Sequence, residues 1–283
     1  MILSIEHSTR YIFEEKVFLE PHYLRFTPAP RPYYDLEVID IQVSPKPSGF
    51  AERAGLENNI YHQAWFNDLL DELLIDVRLK LKIGKFNPFE FYIDTPIEGS
   101  LTKLYREEEQ EALSLYLRCD ILSDQMLNWS KEIKSSTGDN LITYLSFLNQ
   151  TIHSEFTHVI REEDNLMTPT ELFTTKVGSC RDLAWMMIHV LRNQGFAARY
   201  VGGYSFNPEL EEGHELHAWV DVYLPGGGWV GMDPSAGIFV TETYIPICAS
   251  YIPDLTKPVI GTYRGSASSR METDVHIELS EGQ

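Results

Sequence analysis

The sequence predicts an α+β fold, in which an all-β sandwich precedes helices packed on an antiparallel sheet. Three observations predict it. Leu74 to Ile83 alternates strictly, with Ile75, Val77, Leu79, Leu81 and Ile83 on one face and Asp76, Arg78, Lys80 and Lys82 on the other. That is the period of a half-buried strand. Leu141, Tyr144, Leu145, Leu148 and Ile152 instead recur at helical spacing. Beyond Gly195 the strand period returns, in Ala197 to Tyr204, Leu216 to Leu224 and Trp229 to Met232.

Taken in order, residues 1–103 read as the sandwich. Leu36 to Val43 alternates less cleanly, and Tyr61 to Leu74 reads as a hairpin turning at Asn67-Asp68. Pro28, Pro30, Pro32, Pro45 and Pro47 punctuate the connections, and Pro88 to Pro96 reads as a linker or last strand. Residues 104–283 read as the second domain, helical over 104–195, sheet over 196–250, with a strand extension over 251–283. Glu107 to Ile133 is weakly amphipathic. Thr168-Pro169-Thr170-Glu171 is a capping box with proline at the first helical position, so a helix starts there. The next helix starts at Ser179-Cys180, buries Leu183, Ala184, Met187, Ile188 and Leu191, and ends before Gly195.

Composition narrows the function. The 283 residues are enough for two cores, and 23 Lys+Arg against 42 Asp+Glu give a net charge of −19. Such a chain repels a phosphate backbone and an anionic membrane, so nucleic acid and membrane are disfavoured as partners. The opening MILSIEHSTRY lacks the basic-then-apolar pattern of a secretory signal, and no apolar run approaches the roughly 18 residues of a membrane span. Cys119, Cys180 and Cys248 are odd in number and widely spaced, which fits a reduced, cytoplasmic setting better than a disulfide framework.

The chemistry concentrates between Lys176 and Ser235. Cys180 follows Gly178-Ser179 at the mouth of a helix, where unpaired N–H groups and the helix dipole favour a thiolate. The Cys180 amide is also placed to donate to an oxyanion. His217 lies near the start of a strand, on one face with Trp219, Asp221 and Tyr223. Asp233 closes the following strand. A hairpin centred on Pro225 sets residue 217 opposite residue 233, although a glycine run can shift that register by a residue or two. Each residue alone has a plain structural reading: a buried small hydrophobe, an exposed strand histidine, a strand-ending Asp-Pro. Together they stand in the order nucleophile, base, orienter. His214, Glu215 and His217 make a poor zinc site, because neither their spacing nor a third ligand fits.

The segment GSCRDLAWMMIHVLRNQGFAARYVGGY, with HAWVDVYLPGGGWVGMDPSAG after it, resembles the core of the transglutaminase-like superfamily, of papain-like fold. IEHSTRYIFEEKV and the LRFTP that follows resemble the β-sandwich that precedes this core in bacterial members, some of which are cysteine proteases, and VIGTYRGS resembles the usual end of such chains. By position, the resemblance implies a catalytic triad of Cys180, in Gly178-Ser179-Cys180-Arg181-Asp182; His217, in His217-Ala218-Trp219; and Asp233, before Pro234. Asp182, at a helix N-terminus, reads as structural; Arg199 reads as mainly structural, with lining the cleft as the alternative; and Tyr204 and Trp219 are candidate substrate contacts. The activity it implies is covalent acyl transfer at peptide or amide bonds, with hydrolysis favoured, amine transfer as the alternative and a non-catalytic binding module as the rival of another class. No cofactor is implied, and no Asp-x-Asp-x-Asp-Gly calcium loop is evident. Trp185, Trp219 and Trp229 are the residues that could wall off a thioester from water for an amine acceptor.

Overall fold

The computed structural model describes residues 1–94, 104–138, 140–161, 163, 165–207 and 216–281. Its N-terminal part contains β1 (Ile2–Leu19), β2 (His22–Leu24), β3 (Tyr34–Ser44), β4 (Gly49–Ala54), β5 (Ile60–Trp65) and β6 (Leu69–Ile83). On β6 the alternation does what the sequence predicts: Ile75, Val77, Leu79, Leu81 and Ile83 are all buried. They face a core shared with Leu3 and Ile5 of β1 and with Leu24, Phe26 and Phe66.

The expected Tyr61–Leu74 hairpin is not formed. β5 pairs with β4 and β2, whereas β6 pairs with β1 and β3 in the other sheet. Asn67-Asp68 therefore carries the chain from one layer to the other. Alternation identifies a strand but not its partner, and β6 finds in β1 and β3 a longer matched row than β5 offers.

The middle of the chain supplies α1 (Glu107–Ala112), α2 (Asp124–Thr137), α3 (Leu141–Glu155), β7 (Thr157–His158), α4 (Pro169–Thr175), β8 (Val177–Gly178) and α5 (Cys180–Asn193). The weak amphipathic stretch from Glu107 to Ile133 divides into α1, a short 3₁₀ turn and α2. Between them the Asp120 amide donates to Nδ1 of the buried His189, and the Ser123 hydroxyl accepts from the Met126 amide to cap α2. The capping box at Thr168 and Glu171 forms as read: the Glu171 amide donates to Thr168 Oγ1, and the Thr168 amide donates to Glu171 Oε2. Gly195 takes a φ of +87° just beyond α5, where an L side chain would be strained.

The second sheet runs in the order β12 (Ile238–Phe239), β11 (Gly228–Asp233), β10 (Leu216–Leu224), β9 (Ala198–Ser205), β13 (Tyr244–Ser250). Ala218, Val220, Val222 and Leu224 share a core with Leu183, Ala184, Met187 and Leu191 of α5. The mixed α+β architecture matches the expectation.

The domain limits need one correction. The strand extension placed with the second domain belongs largely to the first: β14 (Val259–Ile260) pairs with β2, while β15 (Tyr263–Arg264) and β16 (Ser269–Ser280) pair with β1. The register of β16 runs from Ile2↔Ser280 to Phe13↔Ser269, so the first and last strands are neighbours. Without them β1 would present an unpaired edge. Tyr204, Ile245 and Ile247 of the second sheet also sit in the sandwich core. The expected cut at 103/104, and the linker up to Pro96, fall on or beside residues 95–103, outside the described residues.

Because the core is shared, the two parts should unfold together. Ile277→Ala, at a buried site of β16, should cost about 2–4 kcal/mol. It should lower the urea midpoint equally for a probe in the sandwich and a probe near α5. Two separated transitions would contradict the shared core.

Candidate active site

Cys180 is the first residue of α5, and the turn that presents it is tightly built. A Cβ on Gly178 would lie 2.6 Å from Leu172 Cδ1 and 3.1 Å from Asp182 Cβ, so the chain passes only without a side chain there. Asp182, 1% exposed, gathers the loop around it. Its Oδ2 accepts from the Ser179 amide (2.8 Å) and hydroxyl (2.7 Å), and its Oδ1 from the Met167 amide (2.8 Å). Arg161 Nη1 closes the cluster at 2.7 Å. Burial pushes the Asp182 carboxyl up, but these donors outweigh it and hold it below the usual range. The structural role expected of Asp182 is thus specific: it folds the loop that presents Cys180.

His217 stands on β10 opposite Gly203 of β9. A Cβ on Gly203 would come 2.2 Å from the Ile245 carbonyl oxygen and 2.7 Å from the Trp219 ring, which explains the glycine. The β10–β11 hairpin pairs Val220 with Met232 and Leu224 with Gly228. Continued, this register sets Asp233 opposite Trp219 rather than opposite His217 as the sequence suggested. The longer turn, closed by a Gly227 N–H bond to the Leu224 carbonyl, accounts for the shift. Asp233 therefore reaches His217 along the diagonal, a normal cross-strand neighbour, and His217 Nε2 donates to Asp233 Oδ2 at 2.7 Å.

The carboxylate of Asp233 is 1% exposed and well supplied with donors. Tyr244 Oη donates to Oδ2 (2.8 Å), and the Ser235 amide (2.9 Å) and hydroxyl (2.6 Å) donate to Oδ1. Tyr244 and Ser235 escaped the sequence reading. Ser235 stood two residues after a candidate aspartate, an Asx-turn spacing that could have flagged it. Nothing local pointed to Tyr244.

With Nε2 on Asp233, Nδ1 of His217 is the nitrogen left for the thiol. Cys180 lies within hydrogen-bonding reach of His217, of the Ala218 amide and of a second imidazole, His158. Burial pushes the Cys180 thiol up, yet the hydrogen bonds from His158 and His217 and the charge on His217 bring it down to about 6. Burial likewise works against the His217 cation, but the Asp233 charge beside it, and then Cys180, raise its pKa to about 10. The pair is therefore thiolate and imidazolium over the neutral range. The other thiols move the opposite way. Burial raises Cys119, and raises Cys248 to about 12.

Both candidate substrate contacts are corrected. Tyr204 is fully buried, with its hydroxyl 2.8 Å from Nδ1 of the buried His7 in the sandwich. Trp219 is 1% exposed and packs edge-on against Tyr244 at 5.4 Å. Tyr204 is spent in the core shared with the sandwich, and Trp219 in packing against Tyr244 of β13. The other tryptophans lie elsewhere: Trp185 meets His189 at 4.3 Å, and Trp229 packs between Tyr116, Tyr223 and Arg199. Arg199 is structural, as expected, pairing with the buried Asp221 at 2.9 Å. The loop carrying Glu209, Glu211, Glu212, His214 and Glu215 lies outside the described residues. Among the described residues no cluster of three metal-ligating side chains occurs, and no helix is long and apolar enough to cross a membrane.

Residues 128–234 match the transglutaminase-like superfamily core, and residues 3–82 match the bacterial transglutaminase-like N-terminal region. The chain therefore contains a transglutaminase-like core preceded by a bacterial transglutaminase-like N-terminal region. YebA of Bacillus subtilis is 29% identical over 125 residues, which cover 40% of this chain and 16% of YebA. An uncharacterised protein of Mycobacterium leprae is 32% identical over 107 residues, 35% of this chain and 37% of that one. A protein-glutamine gamma-glutamyltransferase of Pseudomonas aeruginosa is 39% identical over 71 residues, 23% of this chain and 11% of the enzyme. The chain thus spans well under half the length of these relatives. A candidate cysteine protease from Cytophaga hutchinsonii has the same fold, with a TM-score of 0.72 over 100% of this chain and 92% of that one at 15% identity.

Two outcomes are expected. Iodoacetamide should label Cys180 ahead of Cys119 and Cys248. Its labelling rate should rise as pH climbs through about 6, because the depressed thiol is ionised above that point. Asp182→Ala should cost about 3–5 kcal/mol, since it strands the Arg161 guanidinium and three loop donors. Chemical denaturation measures that loss.

Proposed function

We propose that the protein is a cysteine hydrolase acting on peptide or amide bonds. The observation that carries this reading is the Cys180 thiol beside an imidazole that a buried carboxylate holds by its far nitrogen. The Cys180 thiolate attacks the amide carbonyl, forming the S–C bond and moving the carbonyl electrons onto oxygen. The Cys180 amide at the first turn of α5 donates to that oxyanion. As the oxyanion collapses, the C–N bond breaks and His217 Nδ1 gives its proton to the leaving amine. Water then adds to the thioester with His217 as base. The C–S bond breaks, releasing a carboxylic acid and restoring the thiolate–imidazolium pair. Asp233 stays ionised and holds the working tautomer throughout.

Water as acceptor is supported by the partly exposed Cys180 and by the placement of Trp185, Trp219 and Trp229 in packing roles rather than as walls around the thioester. The similarity to the Pseudomonas glutamyltransferase favours the second reading, transfer to an amine. A reducing, cytoplasmic location suits a catalytic thiolate and is part of the proposal.

The test is to incubate the protein with a peptide library, with and without excess primary amine, using Cys180→Ala as control. Free acid as the dominant product supports hydrolysis. Amine adducts dominating would make this a transferase, and no Cys180-dependent product would leave the binding-module reading. On a substrate so found, Asp233→Asn should slow turnover by on the order of 10³- to 10⁴-fold with the fold retained. The wild-type rate should rise with pH through about 6, as Cys180 ionises, and fall near 10, as His217 loses the proton it must donate.

A further inference from the structure

We propose that Tyr244 is a positioning residue of this site, and that the N-terminal sandwich acts on the site through it. The proposal rests on the reading of Cys180 as the reacting thiol, with His217 as its base and Asp233 as the group that orients the base. It gives the sandwich a part in that reaction.

Tyr244 opens β13, the edge strand of the second sheet. Successive side chains of a strand point to opposite faces, and β13 uses both. Ile245 and Ile247 enter the sandwich core, whereas Tyr244 turns the other way and packs with Trp219. Its hydroxyl donates to Asp233 Oδ2 at 2.8 Å, the oxygen that also receives His217 Nε2 at 2.7 Å. The Ser235 amide and hydroxyl occupy Oδ1. Without Tyr244, Oδ2 would be held only by the ring it has to orient. The tyrosine supplies a reference that is independent of His217.

Sharing that oxygen also has an electronic effect. A donor to a carboxylate stabilises its charge and makes it less basic. Tyr244 therefore limits how strongly Asp233 pulls on the Nε2 proton, which the ring must keep while it turns its other nitrogen to the chemistry.

The sandwich fixes Tyr244 in its turn. The chain between β2 and β3 lies along the outer edge of β13. There the Ala29 amide donates to the Pro246 carbonyl (2.7 Å), and the Tyr33 hydroxyl donates to the Tyr244 carbonyl (3.1 Å). Tyr33 and Tyr244 are both buried, so water does not compete at these bonds. The path from the sandwich to the imidazole thus runs through Tyr33, Tyr244 and Asp233, with a measured hydrogen bond at every step.

The test compares wild type with Tyr244→Phe, Tyr33→Phe and Tyr263→Phe, each of which removes one hydroxyl and keeps the ring. Tyr263 bonds the Ala267 carbonyl within its own segment and is the control. Two quantities are read. One is the low-field proton NMR resonance of His217 Nε2–H, assigned by its absence in His217→Gln, which needs no substrate. The other is kcat and KM on a substrate found in the peptide library. Tyr244→Phe should move the resonance to lower field, because Oδ2 then serves His217 alone. It should lower kcat on the order of 10-fold and leave KM within about twofold. Tyr33→Phe should change both in the same direction by less, and Tyr263→Phe should change neither. A wild-type resonance and kcat in Tyr244→Phe would overturn the proposal, as would an equal loss in Tyr263→Phe. A Tyr33→Phe that behaves like the control would overturn the part given to the sandwich. Should Tyr244→Phe not fold, Tyr33→Phe decides, since it leaves every donor to Asp233 in place. Should no substrate be turned over, the hydrolase reading fails, and the resonance alone decides whether Tyr244 positions His217.

Discussion

The site depends on one buried carboxylate. Taking an ionised aspartate out of water costs several kcal/mol unless its lone pairs are filled. Asp233 fills them from three places: His217 on β10, Tyr244 on β13 and Ser235 in the turn after β11. Its donors therefore come from two other strands of the sheet and from the turn that follows its own strand, so satisfying the charge ties these elements together. The same charge keeps the His217 proton in place against burial. That cation, with His158, then holds the Cys180 thiol down. Acidity passes from aspartate to imidazole to sulfur, and each shift has the previous one as its cause.

A second carboxylate does for Cys180 what Asp233 does for His217. Asp182 draws Ser179, Met167 and Arg161 around the entry to α5, so the helix begins where the thiol is needed. The sandwich braces the opposite side. Arg31 of the sandwich reaches the buried Asp221, which also holds Arg199, and His7 of β1 meets the Tyr204 hydroxyl. The second sheet is thus held between α5 and the sandwich, and the sandwich is itself closed by β14 to β16.

Much of this was legible because it is local. The strand β6, the helices α3 to α5 and the Thr168 capping box follow from periods and caps that span a few residues. The chemistry was legible for a related reason. A thiol after Gly-Ser at a helix onset, a strand histidine and a strand-ending aspartate each carry a short-range signature, and the transglutaminase-like resemblance assembled them.

What the sequence determined by itself was the identity of the candidate site residues and the local element that holds each. Tertiary structure decided their partners. It exchanged the expected β5–β6 hairpin for a crossover between layers and carried β16 back to β1. It slid the β10–β11 register so that Asp233 meets His217 diagonally. It also withdrew Tyr204 and Trp219 into the interior and set His158, in an unremarkable Thr-His pair, beside Gly178 at the entry to α5. The reason is physical: a period of two or of 3.6 reports which face of an element is apolar. Which surface covers that face is settled by packing between residues far apart along the chain.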